Sequence, residues 1–305
     1  MLYKISNPTY IKRLVNYKSY LDDVAEMSLN ITDVQQFVDD FYEFDDASDW
    51  PLAVNPTLII NPDNIEECRL RAKNVVDSVI ERKIAGLNIL DFGSGDGTIA
   101  EEMVKRKANV VAYDLTLPKT LFDYQPSPPE KQAPTITTNW SSVADWHAPF
   151  DLILLYDVLD HCTEEPVEVL KRLRPLLKKD GTMIIRCHPW ISRHGGHCYT
   201  KINRAWVHLL FTEEQLRKRG CDPMPIRKII HPLYTYKKWI EEANYKIIKE
   251  DKITESVEDY FTNNELFKNI IYKHFKDSPF EDYRKGKGDL ARVMGFHFID
   301  YILSV

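Results

Sequence analysis

Apolar positions recur along this chain with two different periods, and the period changes near residue 86. Before that point they fall at helical spacing, with few strand signals. The clearest helix follows Asn61-Pro62. Asp63 is placed to cap it, Glu66 sits three residues on, and Ile65, Cys68, Leu70, Ala72, Val75, Val76, Val79 and Ile80 supply an apolar face that ends near Lys83 and Gly86. From Leu87 short apolar runs alternate with amphipathic stretches, the pattern of a parallel sheet covered on both faces. Strands are expected at 88–92, 109–113, 135–138, 152–155, 182–187, 245–248 and 296–303, and helices at 98–107, 166–177, from about 201, and at 236–243. A proline-rich stretch from Pro118 to Pro134 replaces most of one further helix. The expectation is an α/β fold: a doubly wound, mostly parallel seven-stranded sheet in residues 86–305, preceded by a mostly helical extension over 1–85. Insertions are expected at 188–235 and, helical, at 254–292.

Composition changes this picture little, and charge distribution changes it more. Hydrophobic residues make up 44% and charged residues 28% of the 305, ordinary values for a chain that folds throughout. The N-terminus lacks an apolar signal core and no run is long enough to span a membrane, which predicts a cytoplasmic protein. Cys68, Cys162, Cys187, Cys198 and Cys221 are odd in number and form no CxxC pair, so they read as free thiols. The net charge of -6 conceals a reversal. Residues 22–49 carry acidic groups and no lysine or arginine, whereas 186–238 are strongly basic.

The chemistry begins at Ile89-Leu90-Asp91-Phe92-Gly93-Ser94-Gly95-Asp96-Gly97-Thr98, where three glycines stand between a strand and a helix. Glycine there permits positive φ and lets backbone N–H groups approach a ligand. A dinucleotide loop wants Gly or Ala at the position held by Thr98. Asp114, ending the next strand, sits where a ribose diol lies in either kind of site and can accept from both hydroxyls.

G-x-G-x-G with Asp91 two residues ahead resembles the first motif of the class I S-adenosylmethionine-dependent methyltransferases. Phe150-Asp151-Leu152-Ile153-Leu154-Leu155 through Val158-Leu159-Asp160-His161 resembles that family's fourth motif, and Lys179-Asp180-Gly181-Thr182 its turn into the next strand, with Asp180 at the first glycine. The resemblance spans roughly residues 87–187, is closest to the small-molecule type, and implies S-adenosyl-L-methionine as cofactor. It implies that Asp91, Gly93, Ser94, Gly95 and Gly97 cradle the methionine part, that Asp114 with Leu115 takes the ribose side, and that Asn139 and Trp140 meet the adenine edge. Tyr156 would open the loop facing the sulfonium. The family often has Asp where Asn139 stands.

Past the strand ending at Cys187 comes His188-Pro189-Trp190-Ile191-Ser192-Arg193-His194-Gly195-Gly196-His197, at the sheet edge where ligands of open α/β folds bind. Arg186, Arg193 and His197 suit a small anionic acceptor, phosphorylated or carboxylated. The histidine spacing matches no standard zinc pattern, so no metal is expected. A nucleic-acid acceptor is left open and not indicated, since no RNA-binding signature appears. Methyl transfer needs a base only if the acceptor must lose a proton, and His188, His161 and His194 are the candidates, His188 the most firmly placed.

Overall fold

The computed structural model describes residues 52–56, 59–61, 63–80, 82–116, 133–146, 149–159, 161–162, 164–189, 192–210, 213–218, 220–221, 233–254 and 295–305. The acidic run 22–49, most of the proline-rich stretch and nearly all of the 254–292 insertion lie outside them. The chain divides into two compact units, one of residues 56–190, 225–254 and 296–305, the other of 1–55, 191–224 and 255–295. No helix among the described residues is long and apolar enough to cross a membrane.

The first unit holds the sheet. Its strands are β1 (Asn88–Phe92), β2 (Asn109–Tyr113), β3 (Thr135–Thr137), β4 (Phe150–Tyr156), β5 (Leu177–Cys187), β6 (Lys246–Thr254) and β7 (Phe296–Ser304). They lie in the order β3-β2-β1-β4-β5-β7-β6. The first five are parallel, and β7 runs antiparallel to both of its neighbours. The doubly wound, mostly parallel seven-stranded sheet is therefore as expected. The order reverses direction between β1 and β4, and the crevice at such a switch point is where ligands bind.

Helix α1 (Ile65–Val75), widened into a π turn over Val76–Ile80, belongs to this unit and not to a separate extension. Its Ala72, Val75, Val76, Val79 and Ile80 share one buried core with Ile99, Ala100, Met103 and Val104 of α2 (Thr98–Lys105) and with Ile89, Val110, Leu152, Leu154 and Ile184 of the strands. Each fully buried Ile, Leu or Val contributes about 1.5–3 kcal/mol, so detaching α1 would uncover the sheet. The domain boundary expected at 85 thus falls thirty residues earlier, at 55/56. The other helices of this unit are α3 (Trp140–Ala144), α4 (Pro166–Leu173) and α7 (Leu233–Glu242); the second unit holds α5 (Val207–Leu210) and α6 (Glu213–Lys218). The helix expected from Lys201 is thus confined to 207–210, because Trp206 adopts φ 60° just before it.

Two local details differ from the sequence pattern. β5 starts at Leu177, and against β4 it spends five steps (Leu177 to Thr182) on two (Phe150 to Leu152), so Lys179-Asp180-Gly181 form an irregularity within a strand and not a turn before it. A Cβ on Gly181 would lie 2.8 Å from Leu177 Cδ1, which explains a glycine there. The cap of α1 is Asn64 and not Asp63. Asn61 Oδ1 accepts from the Asp63 N–H (3.0 Å), and the helix begins one residue later, with Asn64 Oδ1 accepting from the N–H groups of Glu66 (3.2 Å) and Glu67 (3.4 Å). The Asn64 amide donates in turn to Glu67 Oε1 at 2.7 Å.

Asn64→Ala should therefore cost about 1 kcal/mol in urea unfolding. Asp63→Ala should change stability by less than about 0.5 kcal/mol. The opposite ranking would return the cap to Asp63.

Candidate functional site

All the loops that follow β1, β2, β4 and β5 leave from one edge of the sheet, because these strands are parallel. The glycine loop after β1 is fixed first. Gly93, Gly95 and Gly97 adopt φ 74°, 55° and 74°, which favour glycine. The N–H groups of Gly93 (2.7 Å) and Ser94 (3.0 Å) both donate to the Tyr113 carbonyl at the end of β2, and the Gly95 N–H donates to Asp114 Oδ2 at 2.9 Å. The two glycines differ in what surrounds them. A Cβ on Gly93 would stand 2.6 Å from both methyls of Val158, whereas a Cβ on Gly95 meets no atom of the described residues within 4 Å. Gly93 answers to packing and Gly95 to open space.

Thr98 now has a physical reason. Its hydroxyl lies 2.6 Å from Asp96 Oδ1 and 3.3 Å from the Cys68 carbonyl, tying the start of α2 to α1. Asp96 also accepts from the Thr98 N–H at 2.9 Å, and its other oxygen pairs with Arg71 at 2.6 Å.

Asp91, Asp96 and Asp114 form an acidic group around the loop. Asp91 is buried to 2% exposure, and its Oδ2 has no hydrogen-bond partner among the described residues. Burial pushes its carboxyl up to about 7, the Asp96 and Asp114 charges add to the shift, and Arg71 opposes it. A buried carboxylate in this position is one for which a bound cation would compensate.

Arg71 was missed in the sequence. It lies on the stripe of α1 defined by Cys68, Ala72 and Val75, and an arginine among those apolar positions is the signal that marked it. Its Nε is buried without a hydrogen-bond partner.

On the other side of the loop Asp114 also accepts from the Thr116 N–H at 3.3 Å, and each oxygen keeps a lone pair for a ligand hydroxyl. Leu115 beside it is 71% exposed. Asn139 caps α3, with its Oδ1 accepting from the Ser141 N–H at 3.0 Å, so its NH2 is the side that can meet a ligand, as a donor. Trp140 is wedged edge-on against Tyr113 (5.5 Å between ring centres) and Phe92 (6.1 Å), with the Arg172 guanidinium 4.7 Å from its ring centre. It builds the wall behind this region.

Farther along the same sheet edge is a second cluster. Tyr156 of β4 is opposite Arg186 of β5, which is opposite Asp300 of β7, so the three share one face of the sheet. Arg186 Nε lies 2.6 Å from Asp300 Oδ1, its Nη2 meets the other carboxylate oxygen, and its Nη1 donates to the Tyr156 hydroxyl at 3.3 Å. Its guanidinium stands 5.2 Å from the ring centres of both Tyr156 and Phe298. Burial alone would lower the Arg186 pKa, yet Asp300 outweighs it and raises the value. Burial and the adjacent Asp157 hold the Tyr156 phenol above its ordinary range, so it stays protonated at neutral pH.

The expectation that Arg186 offers its charge to an acceptor meets this finding: Asp300 already neutralises it. His188 is 2% exposed and faces Phe298 edge-on at 5.9 Å, whereas His161 lies exposed after β4. Arg193, His194 and His197 belong to the other unit. There Arg193 stands 5.8 Å over Trp206 and reaches the Leu52 carbonyl (3.4 Å), while His194 and His197 lie beside Tyr199. Among the described residues no group of His, Cys, Asp and Glu is arranged to hold a metal.

With this geometry in place, comparison with known proteins assigns the family. A family profile described as a methyltransferase domain matches residues 65–250, well over half of the chain. The chain belongs to the methyltransferase-domain family. Its class I members use S-adenosylmethionine, and the residues present fit that group: an acid without a cation at Asp91, a cation with a spare donor at Arg71, an acceptor for a diol at Asp114 and unfilled space over Gly95.

Two curated relatives are ubiquinone biosynthesis O-methyltransferases. That of Actinobacillus pleuropneumoniae is 30% identical over 115 residues, covering 34% of this chain and 48% of the relative; that of Ruegeria pomeroyi is 32% identical over 107 residues, covering 34% and 42%. The chain thus spans less than half the length of the curated relatives it matches. Solved structures with a similar fold include a SAM-dependent methyltransferase from Archaeoglobus fulgidus (14% identity, TM-score 0.45, 78% of this chain and 94% of that one). Another is magnesium protoporphyrin IX methyltransferase from Synechocystis PCC 6803 (18%, 0.42, 63% and 82%).

Two predictions test the glycine loop. Gly95→Ala should fold with a loss of about 1–2 kcal/mol from its left-handed backbone but lose S-adenosylhomocysteine binding in calorimetry, while Gly93→Ala should lose several kcal/mol of stability through the Val158 clash. Equal stability of the two variants would contradict the packing. The second concerns Asp91. Its folded pKa lies above the unfolded value, so the stability it contributes is present at low pH and is lost as pH rises towards about 7. Asp91→Asn should therefore raise the ligand-free melting temperature at pH 8 and weaken S-adenosylhomocysteine binding. Wild-type affinity should rise up to about tenfold per pH unit towards neutrality and that of the variant should stay flat. Parallel pH profiles would show that Asp91 does not meet the ligand.

Proposed function

We propose that this methyltransferase transfers the methyl group of S-adenosylmethionine to a hydroxyl of a small molecule, with His188 as the base that receives the hydroxyl proton. The observation that carries the reading is the single sheet edge shared by the glycine loop and the cluster of Tyr156, Arg186, His188, Phe298 and Asp300. S-adenosylmethionine, when bound, supplies an electrophilic methyl on a sulfonium. Asp91 and Arg71 would bind the two charged ends of its amino-acid part and Asp114 its ribose, with Leu115, Asn139 and Trp140 on the adenine side. The sheet edge then fixes where the acceptor oxygen must come, and alignment of this kind supplies much of the acceleration in a displacement. The names of the two curated relatives support oxygen as the acceptor atom and a small molecule as its carrier.

His188 is favoured over His161 and His194 by its position directly after β5 and beside Phe298. An aromatic ring carrying the hydroxyl suits this cluster, since two of its members, Phe298 and Tyr156, are aromatic and the Arg186 charge is cancelled. An anionic acceptor is a second reading, which rests on Arg193 and His197.

Transfer of labelled methyl to catechol and to 3,4-dihydroxybenzoate separates these readings. His188→Asn should lower kcat on the better acceptor by about 10²–10⁴ and leave S-adenosylhomocysteine affinity intact. Undiminished kcat would remove His188 from the reaction. Arg193→Ala should raise KM for the carboxylated compound alone if the acceptor is anionic, and a silent variant would end that reading.

A further inference from the structure

We propose that Asp157 is a positioning residue for His188, its carboxylate holding the imidazole in the tautomer with the proton on Nδ1 and stabilising the cation formed when the ring takes a proton. The inference rests on the reading of His188 as the base and supplies that base with the group that orients it.

Asp157 is the residue directly after β4, and its backbone is unusual. It adopts φ 55°, the left-handed region that side chains other than glycine, asparagine and aspartate rarely enter. The conformation is held in place, because the Asp157 N–H donates to the Arg186 carbonyl of β5 at 3.1 Å. The chain therefore turns at Asp157 while still attached to the strand that leads to His188. The outcome is that Asp157 Oδ1, itself buried, lies 3.7 Å from His188 Nδ1. That is ion-pair range, and the small closure needed to form a hydrogen bond is of the kind that accompanies ligand binding.

The sheet holds the ring from the other sides. His188 lies two residues past Arg186 on the face where Arg186 opposes Asp300, which puts it beside Phe298 of β7, with the rings edge-on at 5.9 Å and 80°. Its carbonyl accepts from the Tyr236 hydroxyl of α7 at 3.4 Å. Other charged or titratable groups among the described residues stand at the same edge of the sheet. Arg186 is cancelled by Asp300. His297 of β7 lies edge-on to Phe298 at 4.4 Å. The Tyr156 phenol is held protonated, and the Tyr236 hydroxyl donates to the backbone carbonyl of His188. Among the described residues, Asp157 brings a carboxylate oxygen within 3.7 Å of the ring nitrogen Nδ1.

In the reaction, the acceptor hydroxyl's O–H bond gives its electron pair to the oxygen, its proton goes to His188 Nε2, a C–O bond forms to the methyl, and the C–S pair stays on sulfur. Charge thus appears on the imidazole while the sulfonium charge disappears. A carboxylate 3.7 Å from Nδ1 favours that change, and it fixes which nitrogen keeps its proton beforehand.

The test needs no acceptor. Protein labelled with ¹⁵N and ¹³C in histidine is titrated by NMR, with the His188 signals assigned by their loss in His188→Asn. Asp157→Asn keeps a residue that tolerates the left-handed backbone, and Asp157→Gly removes the side chain at the same backbone. Both should lower the His188 pKa by about one unit, a tenfold change in proton affinity, and reduce the share of the Nδ1–H tautomer. An unchanged pKa and an unchanged tautomer ratio in the two variants would overturn the proposal even if His188→Asn is inactive. Full turnover of catechol by His188→Asn, with the pKa shift present, would instead overturn the base reading and leave the Asp157–His188 coupling standing.

Discussion

The structure is organised around a buried carboxylate, one oxygen of which has no hydrogen-bond partner among the described residues. Asp91 is the penultimate residue of β1 at the middle of the sheet, with Asp96 and Asp114 nearby and Arg71 as the opposing charge. In a protein built only to fold, that position would hold an apolar residue, since its neighbours Leu90 and Phe92 are fully or nearly buried. Keeping an acid there makes the ligand-free state less stable than it need be, and the deficit is relieved when a cation binds. The surrounding backbone serves the same end. The Tyr113 carbonyl takes two loop N–H groups and Asp114 takes a third, so the loop is already formed before a ligand arrives and little ordering remains to oppose binding.

Much of this was legible in the sequence, for identifiable reasons. β1 and β2 fall within the bounds that their apolar runs predict, because strands buried on both faces leave a continuous signal. The glycine loop, Asp91 and Asp114 are readable because a left-handed loop between strand and helix needs a particular order of residues over a short span. What could not be read depends on distance along the chain. Arg71 reaches the loop from twenty-five residues upstream, and Asp300 and Phe298 meet Arg186 across more than a hundred. A basic residue in a list carries no information about its partner, so Arg186 reads as available until Asp300 is seen beside it. The cap at Asn64 was missed for a smaller reason: Asn61, Asp63 and Asn64 are all able to cap, and Asn61 captures the Asp63 N–H first.

The cancelled charge on Arg186 changes what the strongly basic segment means. Part of that positive charge is structural, as the Arg186 pair shows. A sum of charges over a stretch of sequence therefore overstates the field an acceptor would feel.

The direction of β7 makes this cluster possible. In a parallel strand the residues near the ligand edge are the last ones, as Phe92, Tyr113, Tyr156 and Cys187 are in theirs. Because β7 is antiparallel, its first residues stand at that edge and its last ones, Ile302 and Leu303, are opposite Ile184 and Met183 within the core. One nine-residue strand thus contributes Phe298 and Asp300 to the site while Tyr301 and Leu303 are fully buried. Its alternation also separates the tasks, since Phe298, Asp300 and Ile302 share a face with Arg186 and Ile184, and Ile299, Tyr301 and Leu303 fill the other. A shift of β7 by one residue would exchange the two sets, burying Asp300 and leaving Arg186 without its partner. The register that stabilises the sheet is therefore the same register that sets the charge of the acceptor side, and neither can change alone.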